Sequence, residues 1–190
     1  MEDIKCNVGV LKDVLGSSMF SFKGTVVYCA VLHMSEPPLR HEDDEKAYVE
    51  VKCKTSSHFH SKELERYISN YINKIIHKFC ILEADKFKMM QINIFISEKY
   101  SNILCCAINS CLLALLDAGI PLRKMFYAVS TCQYEEEAIV FEKEKESFIH
   151  IFSHAFGKIS ADAIQKAKKD LEILEEYILF SLRDKFILVE

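Results

Sequence analysis

Polar and apolar positions alternate from Ser17 into a β-branched run ending at Leu32, with Lys23-Gly24 midway, where a hairpin turns; the stretch predicts two antiparallel strands. Pro37-Pro38 and the charged residues His41 to Lys46 read as an exposed connection. In Ala47 to Lys54, Tyr48, Glu50, Lys52 and Lys54 alternate with Val49, Val51 and Cys53, the pattern of a strand with one wet face. The period then lengthens. Leu64, Ile68, Tyr71, Ile72, Ile75, Ile76 and Phe79 recur every three or four residues, with Ser61 as N-cap and Glu63 and Glu65 in the first turn, so a helix follows. Gln91 to Ser97 alternates again and predicts a strand buried on at least one face.

Asn102 to Ala118 is apolar on nearly every side, which predicts a central helix, and Gly119 with Pro121 supplies two stop signals. Met125 to Thr131, Ala138 to Phe141 and Phe148 to Phe152 read as short strands, separated by the charged runs Glu135 to Glu137 and Glu142 to Glu146. Ser160 caps a last amphipathic helix with the stripe Ile164, Ala167, Leu171, Leu174, Ile178 and Leu182. This order predicts a mixed sheet with helices packed on it: an α+β fold of the broad α/β class, one domain over residues 1–190.

Charge narrows the chemistry. With 24 Lys and Arg against 28 Asp and Glu, a net charge of −4 and a pI near 6.0, the chain lacks the footprint of a protein that grips phosphodiester backbones unaided, so any RNA contact is local and weak. Its 8 cysteines form no CxxC pair and several lie in apolar runs, which predicts reduced, packed thiols and an intracellular setting; Cys105-Cys106 reads as core, not as a nucleophile. Met1 to Lys5 resembles neither a secretory signal nor a transit peptide. The apolar run Ile103 to Leu116 is broken by Asn109 and Ser110 and falls short of the about 20 residues that a membrane span needs, so no membrane role is expected. His58-x-His60 with His33, His41 and the cysteines does not follow zinc spacing, and the glutamate runs read as solvated loops; no metal or cofactor is expected.

Ala107 to Leu122, AINSCLLALLDAGIPL, closely resembles a stretch typical of the RNase PH family, above all its exosome members. Ala107, Ala114 and Ala118 would let this helix lie close to a sheet, and Asp117-Ala118-Gly119 would end it in a left-handed turn. Upstream, Gly16-Ser17-Ser18 and Phe22 to Val27 resemble the family's glycine-serine hairpin, and Glu36 through Val51 resembles the exosome subunits' short loop and edge strand. The resemblance covers roughly residues 6 to 184 and implies one RNase PH-like domain (ribosomal protein S5 domain 2-like).

In active members of that family, a Gly-Gly-Thr-Arg-Thr-like turn at the start of the central helix holds the attacking phosphate. Ser101, Asn102, Ile103, Leu104 and Cys105 fall there, so Ile-Leu replaces Thr-Arg and the phosphate site reads as degenerate. Active members also carry an Asp-rich hairpin, whereas Val140 to Glu146 contains no Asp and its Glu-Lys alternation reads as a solvated turn. An arginine usual before the first long helix is replaced near His60, although Arg66 remains. The family's presentation of this region toward the ring's pore makes His58, His60, Lys62 and Arg66 the candidate RNA contacts.

The resemblance thus implies a catalytically silent subunit of the eukaryotic RNA exosome. Its partners would be other RNase PH-like subunits in a hetero-hexameric ring, S1/KH cap proteins, single-stranded RNA and a separate hydrolytic nuclease. It would work in the nucleus and nucleolus and also in the cytoplasm. The enzyme rival is a phosphorolytic 3′-to-5′ exoribonuclease or nucleotidyltransferase with a rebuilt or shared phosphate site; a further rival is a scaffold that never touches RNA.

Overall fold

β2 (Gly16–Phe22) and β3 (Thr25–Val31) pair antiparallel, with Lys23 and Gly24 as the whole connection between paired Phe22 and Thr25. Both turn residues have positive φ, 48° and 80°, as a two-residue type I′ hairpin requires. The computed structural model describes residues 4–130, 138–144, 147–154 and 161–187. An edge strand that the sequence pattern did not reveal, β1 (Lys5–Val8), pairs with β2. On the other side, β5 (Met89–Glu98) runs antiparallel to β3 and parallel to β4 (Tyr48–Thr55), giving the order β1-β2-β3-β5-β4. β4 is therefore an edge, and it has the expected wet face: Val49, Cys53 and Thr55 are buried while Lys52 and Lys54 are exposed.

α1 (Lys62–Phe79) starts where the spacing places it, with the Ser61 hydroxyl accepting from Leu64 N at 3.4 Å. Its buried stripe is Ile68, Ile72, Ile75, Ile76 and Phe79, together with one carboxylate, Glu65. α2 (Ile103–Asp117) is buried without a break from Ile103 to Leu115. It lies so close to β2 that a Cβ on Gly16 would sit 2.3 Å from Ala118 N and 2.6 Å from the Ala114 carbonyl oxygen. At its end Gly119 has φ 68°, Gly119 N donates to Leu116 O at 3.1 Å and Ile120 N to Leu115 O at 3.0 Å, a Schellman closure.

β6 (Phe126–Val129), β7 (Ala138–Glu144) and β8 (Ser147–His154) form a second, antiparallel sheet in that order. α3 (Ala161–Ile187) buries Ala167, Leu171, Leu174 and Ile178, as its stripe predicts. One continuous cluster of buried side chains includes residues from both of these sheets and from α1, α2 and α3. The fold is mixed α/β, as the element order implies. Among the described residues, no helix is long and apolar enough to cross a membrane.

One expectation fails. Glu142 to Glu144 are strand, not solvated turn: β7 extends through them, Glu142 is only 7% exposed, and its carboxylate pairs with Lys124. The Glu-Lys alternation resembles a loop by composition, but it is the period-two pattern of a strand whose charges find partners at its borders. Ser160, Glu135 to Glu137 and Lys145-Glu146 lie outside the described residues.

Candidate nucleic-acid interface

Thr25, buried at the start of β3, organises the entry to α2. Its hydroxyl donates to Ser101 O at 2.6 Å and accepts from Tyr100 N at 3.0 Å and Ser101 N at 2.9 Å. The chain then turns at Asn102, which takes the left-handed conformation at φ 58° and is 5% exposed. Asn102 Oδ1 accepts from the Ser130 hydroxyl at 2.5 Å and Asn102 Nδ2 donates to Ser101 Oγ at 3.3 Å, so the side chain is held inside the fold and does not cap the helix. Ile103 and Leu104 follow at 3% and 4% exposure. They face α1, and with Leu64, Tyr67 and Ile68 they line a narrow apolar crevice. A helix N-terminus favours anions through its N–H groups, but here its first two side chains are hydrocarbon packed against hydrocarbon.

The candidate RNA contacts lie at the start of α1, on its outer side. His58, in the 3₁₀ turn Ser57–Phe59, is exposed, as are His60, Lys62 and Arg66. The structure thus joins the two candidate sets through the first turns of α1: polar rim outside, Ile103 and Leu104 inside. Beneath the rim sits Glu65, which sequence reasoning assigned only to the helix dipole. Glu65 Oε1 accepts from Thr55 N at 2.8 Å and Thr55 Oγ1 at 2.9 Å, and lies 3.3 Å from His60 Nδ1; Oε2 is 3.8 Å from Lys54 Nζ. Burial pushes this carboxyl up, but the Thr55 hydrogen bonds, Lys54 and His60 outweigh it and its pKa falls below the ordinary 4.5. Nearby, burial raises the Cys53 thiol to about 12, with Glu65 adding to the rise and Lys54 opposing it. The overlooked signal was positional: Glu65 stands three residues before Ile68 and seven before Ile72, on the buried stripe.

Asn109 is a second residue whose task spacing did not reveal. Fully buried in α2, it donates from Nδ2 to Ala128 O at 2.8 Å and accepts from Ala128 N at 2.9 Å, closing the free edge of β6. Cys105 and Cys106 are core residues, and burial raises the Cys106 thiol. Among the described residues, no group of three His, Cys, Asp or Glu is placed to hold a metal ion.

A buried helix clasped by a five-stranded and a three-stranded sheet, entered through a threonine-held turn and left through Asp-Ala-Gly, defines an RNase PH-like protein. The chain belongs to the RNase PH, 3′ exoribonuclease family: the profile of that family's domain 1 matches residues 1–121. Among curated relatives, it is 28% identical over 145 residues to "Exosome complex exonuclease RRP46 homolog" of Arabidopsis thaliana, covering 76% of this chain and 60% of that protein. It is 30% identical over 144 residues to "Exosome complex component rrp46" of Schizosaccharomyces pombe, covering 75% of this chain and 63% of that protein. The chain therefore spans less than two thirds of the length of either. The crystal structure of rice (Oryza sativa) Rrp46 superposes with a TM-score of 0.75 over 95% of this chain and 92% of that one; at 21% identity it shows the shared fold.

Proposed function

We propose that this chain is a non-catalytic ring subunit of an RNA exosome, supporting 3′-to-5′ RNA processing by assembly and by passage of RNA and not by cleavage. The observation that carries the reading is the burial of Ile103 and Leu104 against Leu64, Tyr67 and Ile68. The resemblance aligns these two positions with the Thr-Arg pair that holds phosphate in active members. Phosphorolysis brings an attacking anion beside a phosphodiester, which demands fixed cationic and hydroxyl donors. Hydrocarbon at those positions supplies none, and the Asn102 side chain is held by Ser130 and Ser101 instead.

Residues 1–190 are taken as one domain, supported by the core that the two described sheets share with α1, α2 and α3. The partners in this reading are other RNase PH-like subunits, S1/KH cap proteins and a hydrolytic nuclease, in nucleus, nucleolus and cytoplasm; the names of the matched relatives, which place those proteins in exosome complexes, support the assembly itself. RNA would meet the rim of His58, His60, Lys62 and Arg66, all exposed. Native mass spectrometry of the complex that co-purifies with the tagged chain tests the assembly. The expected species contains several different RNase PH-like subunits with one copy of this chain; recovery as a lone chain, or in a ring of identical copies, contradicts it.

A further inference from the structure

We infer that Glu65 is a positioning residue for RNA contact, holding the loop that carries His58 and His60 in its binding shape. The inference rests on the RNA-contact reading of that rim. A carboxylate under an RNA-binding surface is unexpected on Coulomb grounds, since it repels phosphate. Its contacts explain its presence. Glu65 has a side chain 8% exposed, yet it sits beside His60 and Lys54, which are 48% and 73% exposed.

The loop between β4 and α1 is fixed at both ends by this one group. At its start Thr55 donates to Glu65 Oε1 from both its backbone N and its hydroxyl, and at its end His60 Nδ1 lies 3.3 Å from the same oxygen. Ser61 N also reaches Thr55 Oγ1, at 3.4 Å. Within the loop, Phe59 N donates to Ser56 O at 3.2 Å, and Ser56 N to Ile96 O at 3.0 Å. His60 Nδ1 thus faces both Glu65 Oε1, at 3.3 Å, and Thr55 Oγ1, at 3.5 Å, so this ring nitrogen is turned toward the fold. The loop is thereby ordered before RNA arrives, which removes part of the entropy cost of binding.

The sign of one substitution separates positioning from simple charge. Glu65→Gln keeps an amide oxygen for Thr55 but loses the charge that orients His60 and Lys54. If Glu65 only repels phosphate, the variant binds RNA more tightly; if it positions, the variant binds more weakly. The experiment is binding of a fluorescent single-stranded oligouridine to the assembled complex, with wild-type chain, Glu65→Gln, His60→Ala, the double variant and a rim variant with His58, His60, Lys62 and Arg66 all changed to Ala. We expect Glu65→Gln to weaken binding by about threefold to tenfold, and to add little to His60→Ala, because it acts through that side chain. Should Glu65→Gln fail to assemble, Glu65→Asp carries the same expectation, since the shorter side chain withdraws the charge from His60. Unchanged or tighter binding by Glu65→Gln, with the rim variant weakened, overturns the positioning role alone. A rim variant that binds like wild type overturns the RNA-contact reading itself.

Discussion

At the scale of single residues, chemistry was most legible where a side chain obeyed its own pattern and least where it broke one. The cysteines in apolar runs are core residues, and burial raises the Cys80 thiol to about 12. Glu65 was illegible because a glutamate in a first helical turn has an ordinary explanation, and its partner Thr55 lies ten positions upstream, at the end of another element. Its electrostatics yield a prediction. A carboxyl whose folded pKa lies below its ordinary 4.5 stabilises the fold at every pH above that value, and the contribution is lost as pH falls through the lower folded value. Thermal unfolding of wild type and Glu65→Gln from about pH 7 to about pH 3 should show the wild-type advantage shrinking only at the acid end. A gap that is constant over the whole range contradicts the assignment.

Secondary structure elements were readable wherever one periodicity ran unbroken. The hairpin, α1, α2 and the Gly119 stop follow directly from spacing, because each is defined by neighbours along the chain. The failures have a common physical cause. β1 is too short to establish a pattern, and the end of β7 is charged because Lys124 and Glu175 answer its Glu142 and Lys143 across the fold. Asn109 belongs to the same class: within the helix it looks like a polar interruption, and only the second sheet reveals it as the partner of Ala128. Asn109→Ala would leave the buried Ala128 N–H without its acceptor and the Ala128 carbonyl with the Cys105 thiol alone, and an unsatisfied buried donor costs about 1–3 kcal/mol. Chemical denaturation should show a loss in that range or above it; a change under about 0.5 kcal/mol, the size usual for innocuous surface substitutions, contradicts the edge-closing role.

For the whole molecule, the sequence stated the fold class and the family resemblance, while the surface had to be seen. Leu39, Tyr100 and Phe180 are 90%, 69% and 64% exposed, and Phe87 is 52% exposed in a left-handed backbone conformation that costs a bulky residue energy. Such side chains suit a chain that is covered by neighbours. The isolated chain should therefore self-associate as its concentration rises in sedimentation velocity, and a sharp monomer peak at high concentration contradicts that expectation.

The silent reading itself depends on the start of α2, where Ile103 and Leu104 face the hydrocarbon of α1. Its most direct test is chemical. Purified chain is incubated with single-stranded RNA and inorganic phosphate, and the products are resolved by chromatography; phosphorolysis alone makes nucleoside diphosphates. No diphosphate above the no-protein control is expected, while sustained release of diphosphate from the RNA 3′ end would show a working phosphate site.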